Sequence, residues 1–143
     1  MGAINVDQIL VTPLRRFQVE GGDVLHAMKN SDSGYVNFGE AYFSLIKVGA
    51  TKAWKRHLRM TLNIVVPFGE VIYAFLDEQG TIREELVSEN RYVRLTVPPG
   101  IWFGFKGLYA PYSIMMNVAD IPHDPTEIER KTMHQIKYDW KLK

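Results

Sequence analysis

The chain contains no cysteine, which excludes disulfides, thiolate metal sites and a cysteine nucleophile. It lacks any apolar run approaching the roughly 20 residues that a membrane-spanning helix needs. Neither charge sign dominates: 17 Lys and Arg stand against 16 Asp and Glu, for a net charge of +1. With those cations scattered along the chain, no electrostatic footprint for duplex nucleic acid is present. The first residues, MGAINVDQILVTPLRRF, carry no basic stretch ahead of an apolar core and no small-residue cleavage site. No secretory leader is expected, and the cytoplasm is the expected compartment. Internal repeats and low-complexity tracts are also missing.

What is present is β-forming material. At 143 residues the chain has the length of one domain with a real core. From about Gly22 to Val118 it runs as short segments rich in β-branched and aromatic residues, punctuated by Gly, Pro, Asn and Asp, the pattern of an all-β sandwich or barrel. Strands are expected over 23–28, 40–48, 51–57, 60–66, 70–76, 81–87, 92–97, 101–105 and 112–118. Segments such as MTLNIVV and VIYAFL are nearly continuous apolar runs, so both faces should be covered. Near the end, Asp124, Pro125 and the acidic TEIE run read as a cap, a first-turn proline and the start of a short C-terminal helix. The expectation is an all-β chain with a barrel core over about 22–118 and a helix and tail over 119–143.

The stretch GATKAWKRHLRMTLNIVVPFG at 49–69 can be laid without a gap on the first motif of the cupins, small jelly-roll barrels built as double-stranded β-helices. Gly49 and Gly69 take the two glycines, Lys55 and His57 the His-x-His positions, and Leu62 the acid. Pro98, Pro99 and Gly100 fit the second motif, with Phe103 at its histidine. A first-row metal in such a barrel needs about three or four converging nitrogen and oxygen ligands. Only His57 could serve, so no bound metal and no other cofactor are expected.

The same segments, KAWKRH at 52–57, NIVVPFGEVIYAFLD at 63–77, ENRYVRLTVPPGIWFGF at 89–105 and ADIPHDPTEIE at 119–129, resemble the dTDP-4-dehydrorhamnose 3,5-epimerases. They also resemble the related sugar-nucleotide 3,4-ketoisomerases. The resemblance implies a metal-free cupin acting on a nucleotide-diphosphate keto-sugar in bacterial surface polysaccharide assembly. Lys52 falls where the epimerases place a phosphate-binding arginine, and Lys55 where they place the catalytic histidine. His57 coincides with the second histidine of the ketoisomerases' His-Ala-His run. The epimerase lysine falls at Leu62, and its tyrosine acid falls near Ile121 and Pro122, beside His123. The reaction implied is epimerisation next to a ketone, with 3,4-ketoisomerisation, or sugar-nucleotide binding without turnover, as alternatives.

Such chemistry needs a base at carbon, stabilisation of the enolate oxygen, and an acid that returns the proton. His57 is the candidate base, since imidazole exchanges protons near neutral pH. Lys55, one strand position removed on the same side, could polarise the carbonyl. His123 and Tyr73 are further catalytic candidates, with Tyr42 as another tyrosine of the same kind. Lys52, Arg56, Arg59, Asn63 and Trp102 are candidates for holding the substrate, although alternation turns the Asn63 amide away from Leu62. Three tryptophans and flat apolar strands lead to the expectation of a homodimer.

Overall fold

The computed structural model describes residues 3–141. Twelve strands form: β1 (Leu10–Pro13), β2 (Arg16–Phe17), β3 (Val24–Leu25), β4 (Glu40–Lys47), β5 (Thr51–His57), β6 (Leu62–Phe68), β7 (Glu70–Leu76), β8 (Ile82–Ser88), β9 (Val93–Val97), β10 (Trp102–Gly107), β11 (Tyr112–Ala119) and β12 (Ile128–Arg130). Ten of them make two five-stranded sheets, ordered β1-β9-β6-β11-β4 and β12-β5-β10-β7-β8, while β2 and β3 form a separate ribbon. Every named strand pairing is antiparallel. This is the jelly-roll barrel of the cupin type, two sheets closed face to face over one core.

Alternation explains which residues fill it. Leu62, Ile64 and Val66 of β6, Val93, Leu95 and Val97 of β9, Val71, Tyr73 and Phe75 of β7, and Phe103 of β10 belong to one buried cluster. Such side chains stabilise by about 1.5–3 kcal/mol each when fully buried. The sharp reversal between β6 and β7 depends on Gly69, whose φ of +99° and close approach to Ser113 leave no room for a Cβ.

The outer faces are covered by chain segments. Outward-facing Asn63, Arg94 and Thr96 meet the 26–34 loop: Arg94 is 0% exposed and donates to the carbonyls of Ala27 and Ser33, while Asn63 donates to that of Gly34. On the other sheet, Trp54 and Trp102 form a second apolar cluster with Ile136 and Trp140 of the C-terminal segment.

The expected C-terminal helix does not form. Asp124 does cap a turn, accepting from the Thr126 N–H, but only a 3-10 turn over Pro125–Glu127 follows. Ile128, Glu129 and Arg130 then pair with His57, Arg56 and Lys55 of β5. Pairing with an open sheet edge, and burial of Glu127, override a helix signal too short to stand alone. Strands β1 and β2 were not expected, and the 23–28 strand shrinks to Val24–Leu25.

Candidate active site

Between the sheets the barrel holds a cavity of about 610 Å³. Its walls come from both sheets. Tyr42 and Ser44 of β4, Leu62 and Ile64 of β6, and Met115 and Asn117 of β11 face Lys52 and Lys55 of β5, Tyr73 of β7, and Phe103 and Phe105 of β10. Arg130 of β12 lies in the lining too, opposite Lys55 in the strand register.

Strict alternation would send Lys52 and Lys55 to opposite faces. A register shift decides otherwise: Lys55 pairs with Phe103 and Lys52 with Phe105, while Ala53 pairs with Gly104 and Trp54 is the extra residue. This bulge lets Trp54 join the outer cluster while it still borders the cavity, and both lysines line it. Lys52, Lys55 and Arg130 therefore share the lining with Lys131, a concentration of positive charge suited to an anionic group.

His57 ends β5 on the Lys55 side. Its ring is 5% exposed and stacks on Phe103 at 6.1 Å between centroids. The imidazole is not itself part of the cavity lining; its neighbours Lys55 and Phe103 are. Nδ1 lies 2.5 Å from Oε2 of Glu127, which is 2% exposed. The other carboxylate oxygen accepts from the backbone N–H groups of Arg59 and Met60. Burial pushes the Glu127 carboxyl up, but His57 and these two N–H donors outweigh it and hold its pKa below the usual carboxylate value. Burial lowers the His57 pKa, Glu127 offsets this in part, and Lys55 and Arg130 lower it further. The pair is thus carboxylate and neutral imidazole, with the ring proton on Nδ1 donated to Glu127. Nε2 is buried with no hydrogen-bond partner among the described residues. An imidazole lone pair held in this way is able to accept a proton.

Across the cavity, on the other sheet, the Tyr42 hydroxyl accepts from Asn117 Nδ2 at 3.2 Å. Asn117 Oδ1 is fixed in turn by the Asn63 N–H at 2.9 Å. Tyr73 also lines the cavity, but its hydroxyl donates to Met115 Sδ at 3.1 Å, and complete burial raises its pKa far above the usual value. Tyr73 is held as a neutral phenol.

Other candidates from sequence sit elsewhere. Arg56 points outward, paired with Glu129 and Glu78 and stacked over Trp102 at 4.7 Å. Trp102 belongs to the outer cluster. Arg59 bonds Asp124 at 2.5 Å on the surface. Asn63 lies on the outer face, accepting from Thr96 Oγ1 at 2.6 Å. His123 is exposed, its backbone N–H donating to Glu40. None of these five lines the cavity. Conversely, Glu127, Asn117 and Arg130 were not singled out from sequence. Glu127 reads there as an ordinary first-turn acid, and Asn117 and Arg130 acquire meaning only through strand register. Among the described residues no group of three or more His, Asp or Glu side chains converges as a metal site would require.

The cavity thus brings a neutral imidazole close to its wall, a phenol on the facing sheet and several cationic side chains, a set able to move a proton and to meet an anionic group. No protein-family model matches the chain. In structure it matches a dTDP sugar isomerase from Desulfovibrio desulfuricans G20, with a TM-score of 0.90 and 32% identity over 94% of this chain and 92% of that one. A dTDP-4-dehydrorhamnose 3,5-epimerase from Sulfolobus tokodaii shares the fold at a TM-score of 0.81, with 19% identity over 98% of this chain and 86% of that one. In sequence, a probable low-salt glycan biosynthesis epimerase of Haloferax volcanii is 26% identical over 106 residues, which span 69% of this chain and 66% of that protein. The chain belongs to the family of dTDP-sugar isomerases and epimerases.

Proposed function

We propose that this protein is a metal-independent epimerase of a nucleotide-linked 4-keto-6-deoxy sugar, working as a cytoplasmic homodimer in surface polysaccharide synthesis. The observation that carries the reading is the His57–Glu127 pair, which leaves Nε2 unprotonated and unpartnered beside the cavity. The ketone acidifies its neighbouring C–H, and His57 Nε2 takes that proton. Glu127 holds the imidazole in the required tautomer and stabilises the imidazolium that forms. Lys55, on the same strand face, meets the carbonyl, while Lys52 and Arg130 take up the diphosphate. Tyr42 stands on the opposite wall with its proton free to be given, since Asn117 is its donor. Removal from one face and return from the other inverts the carbon, which favours epimerisation over a ketoisomerisation run by one base on one face.

For the dimer, support comes from β4, an edge strand whose outward Phe43 and Leu45 are 67% and 55% exposed, and from Val36 and Phe38 nearby in the chain, also exposed. Covering them with a second copy removes both an apolar patch and an open sheet edge.

The test is incubation with dTDP-4-keto-6-deoxyglucose in D₂O, with proton NMR of the sugar. Deuterium at a carbon beside the ketone together with an inverted configuration supports the epimerase. Movement of the ketone to carbon 3 identifies a ketoisomerase instead. Tight dTDP binding without any exchange identifies a binding protein and overturns the enzymatic reading.

A further inference from the structure

Lys55 occupies an unusual position for a lysine. It lines the cavity with its side chain only partly exposed, on the same strand face as the base. Among the described residues no hydrogen bond or ion pair holds its amine, nor the side chains of Lys52 and Arg130 in the same lining, whereas arginines away from the cavity are matched: Arg56 to Glu129, Arg59 to Asp124, Arg83 to Glu85 and Arg94 to Asp32. Its cross-strand neighbours are Phe103 on one side and another cation, Arg130, on the other. The bulge brings a third cation, Lys52, to the same wall. A lysine confined among apolar surface and like charges has its ammonium form disfavoured and its free amine, a nucleophile, favoured. Burial is the largest cause of its lowered pKa, Arg130 adds to it, the Glu127 carboxylate opposes, and Lys52 adds a smaller lowering.

We propose that Lys55 is a covalent catalyst: its amine condenses with the substrate ketone to form an imine, from which His57 removes the neighbouring proton. This rests on the epimerase reading above. The nitrogen lone pair adds to the carbonyl carbon, and the resulting carbinolamine takes a proton from solvent on its oxygen and loses water to give a protonated imine; that proton goes back to solvent when the free amine is released. His57 Nε2 then takes the adjacent C–H proton, and the electrons of that bond form the enamine and neutralise the nitrogen. A proton returns to carbon, water adds back, and the ketone and the free amine are released. Water is consumed and produced in equal amount, and no oxidant or reductant is needed. The arrangement suits this sequence because alternate positions of β5 put the amine and the imidazole on one strand face, with the amine in the cavity lining. A protonated imine withdraws electrons more strongly than a ketone, which supplies the acidification that a metal would otherwise give.

The test uses the full chain with dTDP-4-keto-6-deoxyglucose and sodium cyanoborohydride at neutral pH, followed by intact mass and peptide mapping. Deuterium exchange is followed in a parallel sample without reductant. The expected result is one substrate-dependent reduced adduct per chain on Lys55, with Lys52 and Lys131 unmodified. Lys55→Arg, which keeps the charge and cannot form the imine, should lose the adduct and on the order of 10²-fold or more in exchange rate while still binding dTDP. Native protein that exchanges deuterium but gives no Lys55 adduct would overturn the covalent role and leave the epimerase reading standing. So would Lys55→Arg exchanging at the native rate, or labelling spread equally over the lysines. Native protein that neither exchanges nor forms an adduct would remove both.

Discussion

At the scale of single residues, the account turns on one buried carboxylate and the ring it orients. Glu127 accepts from His57 Nδ1 and from two backbone N–H groups, so its charge fixes which ring nitrogen carries the proton. Glu127→Gln would keep the shape but could offer an amide N–H to Nδ1, moving the imidazole proton to Nε2 and removing the base. Turnover should fall by about 10²–10⁴-fold with dTDP binding retained; a loss below about tenfold in steady-state kinetics would show that tautomer control is unimportant here. The pH profile follows from the direction of the His57 shift. The neutral ring is the active form and its pKa is lowered, first by burial. The acidic limb of kcat/KM that belongs to His57 should therefore fall at a pH below the roughly 6.5 of a free imidazole, with more than half of the ring still neutral at that pH. A limb centred at or above it would contradict the buried, neutral assignment.

At the scale of elements, the cavity-lining face of β5 is built by a bulge and by what pairs on either side. Glycine turns and alternating apolar positions made β5 through β11 legible from the amino-acid order, and they placed His57 and Lys55 together. The bulge at Ala53 and Trp54 was not legible, because it appears only when β10 sets the register. Glu127 was hidden by the helix-like run around it, since only the pairing of β12 with β5 brings that carboxylate under the ring. Arg56, Arg59 and Trp102 carry chemistry suited to a substrate, yet strand direction sends them outward. The C-terminal segment also has a structural duty. Trp140 is 5% exposed, with its ring 5.6 Å from Trp54 and 4.6 Å from Tyr138. Trp140→Ala should cost about 3–5 kcal/mol, the usual range for a buried tryptophan, measured as a drop in the denaturant midpoint. A change under about 1 kcal/mol would mean that the tail is only loosely attached.

At the scale of the whole molecule, two sheets close over a core, and the cavity between them carries the positive charge. No helix of the described residues is long and apolar enough to cross a membrane. The exposed edge at β4 points to pairing with a second copy. Light scattering at micromolar concentration should give twice the chain mass, and Phe43→Glu on that outer face should give a monomer. A native monomer would count against the paired assembly. The proposed reaction asks the barrel to hold one imidazole ready to take a proton from carbon, and the most direct measurement follows that proton. Deuterium entry beside the ketone of dTDP-4-keto-6-deoxyglucose should be compared in the native protein and in His57→Asn, with dTDP affinity measured on both. The account predicts a loss on the order of 10²-fold or more with binding kept; exchange by His57→Asn at the native rate would contradict it.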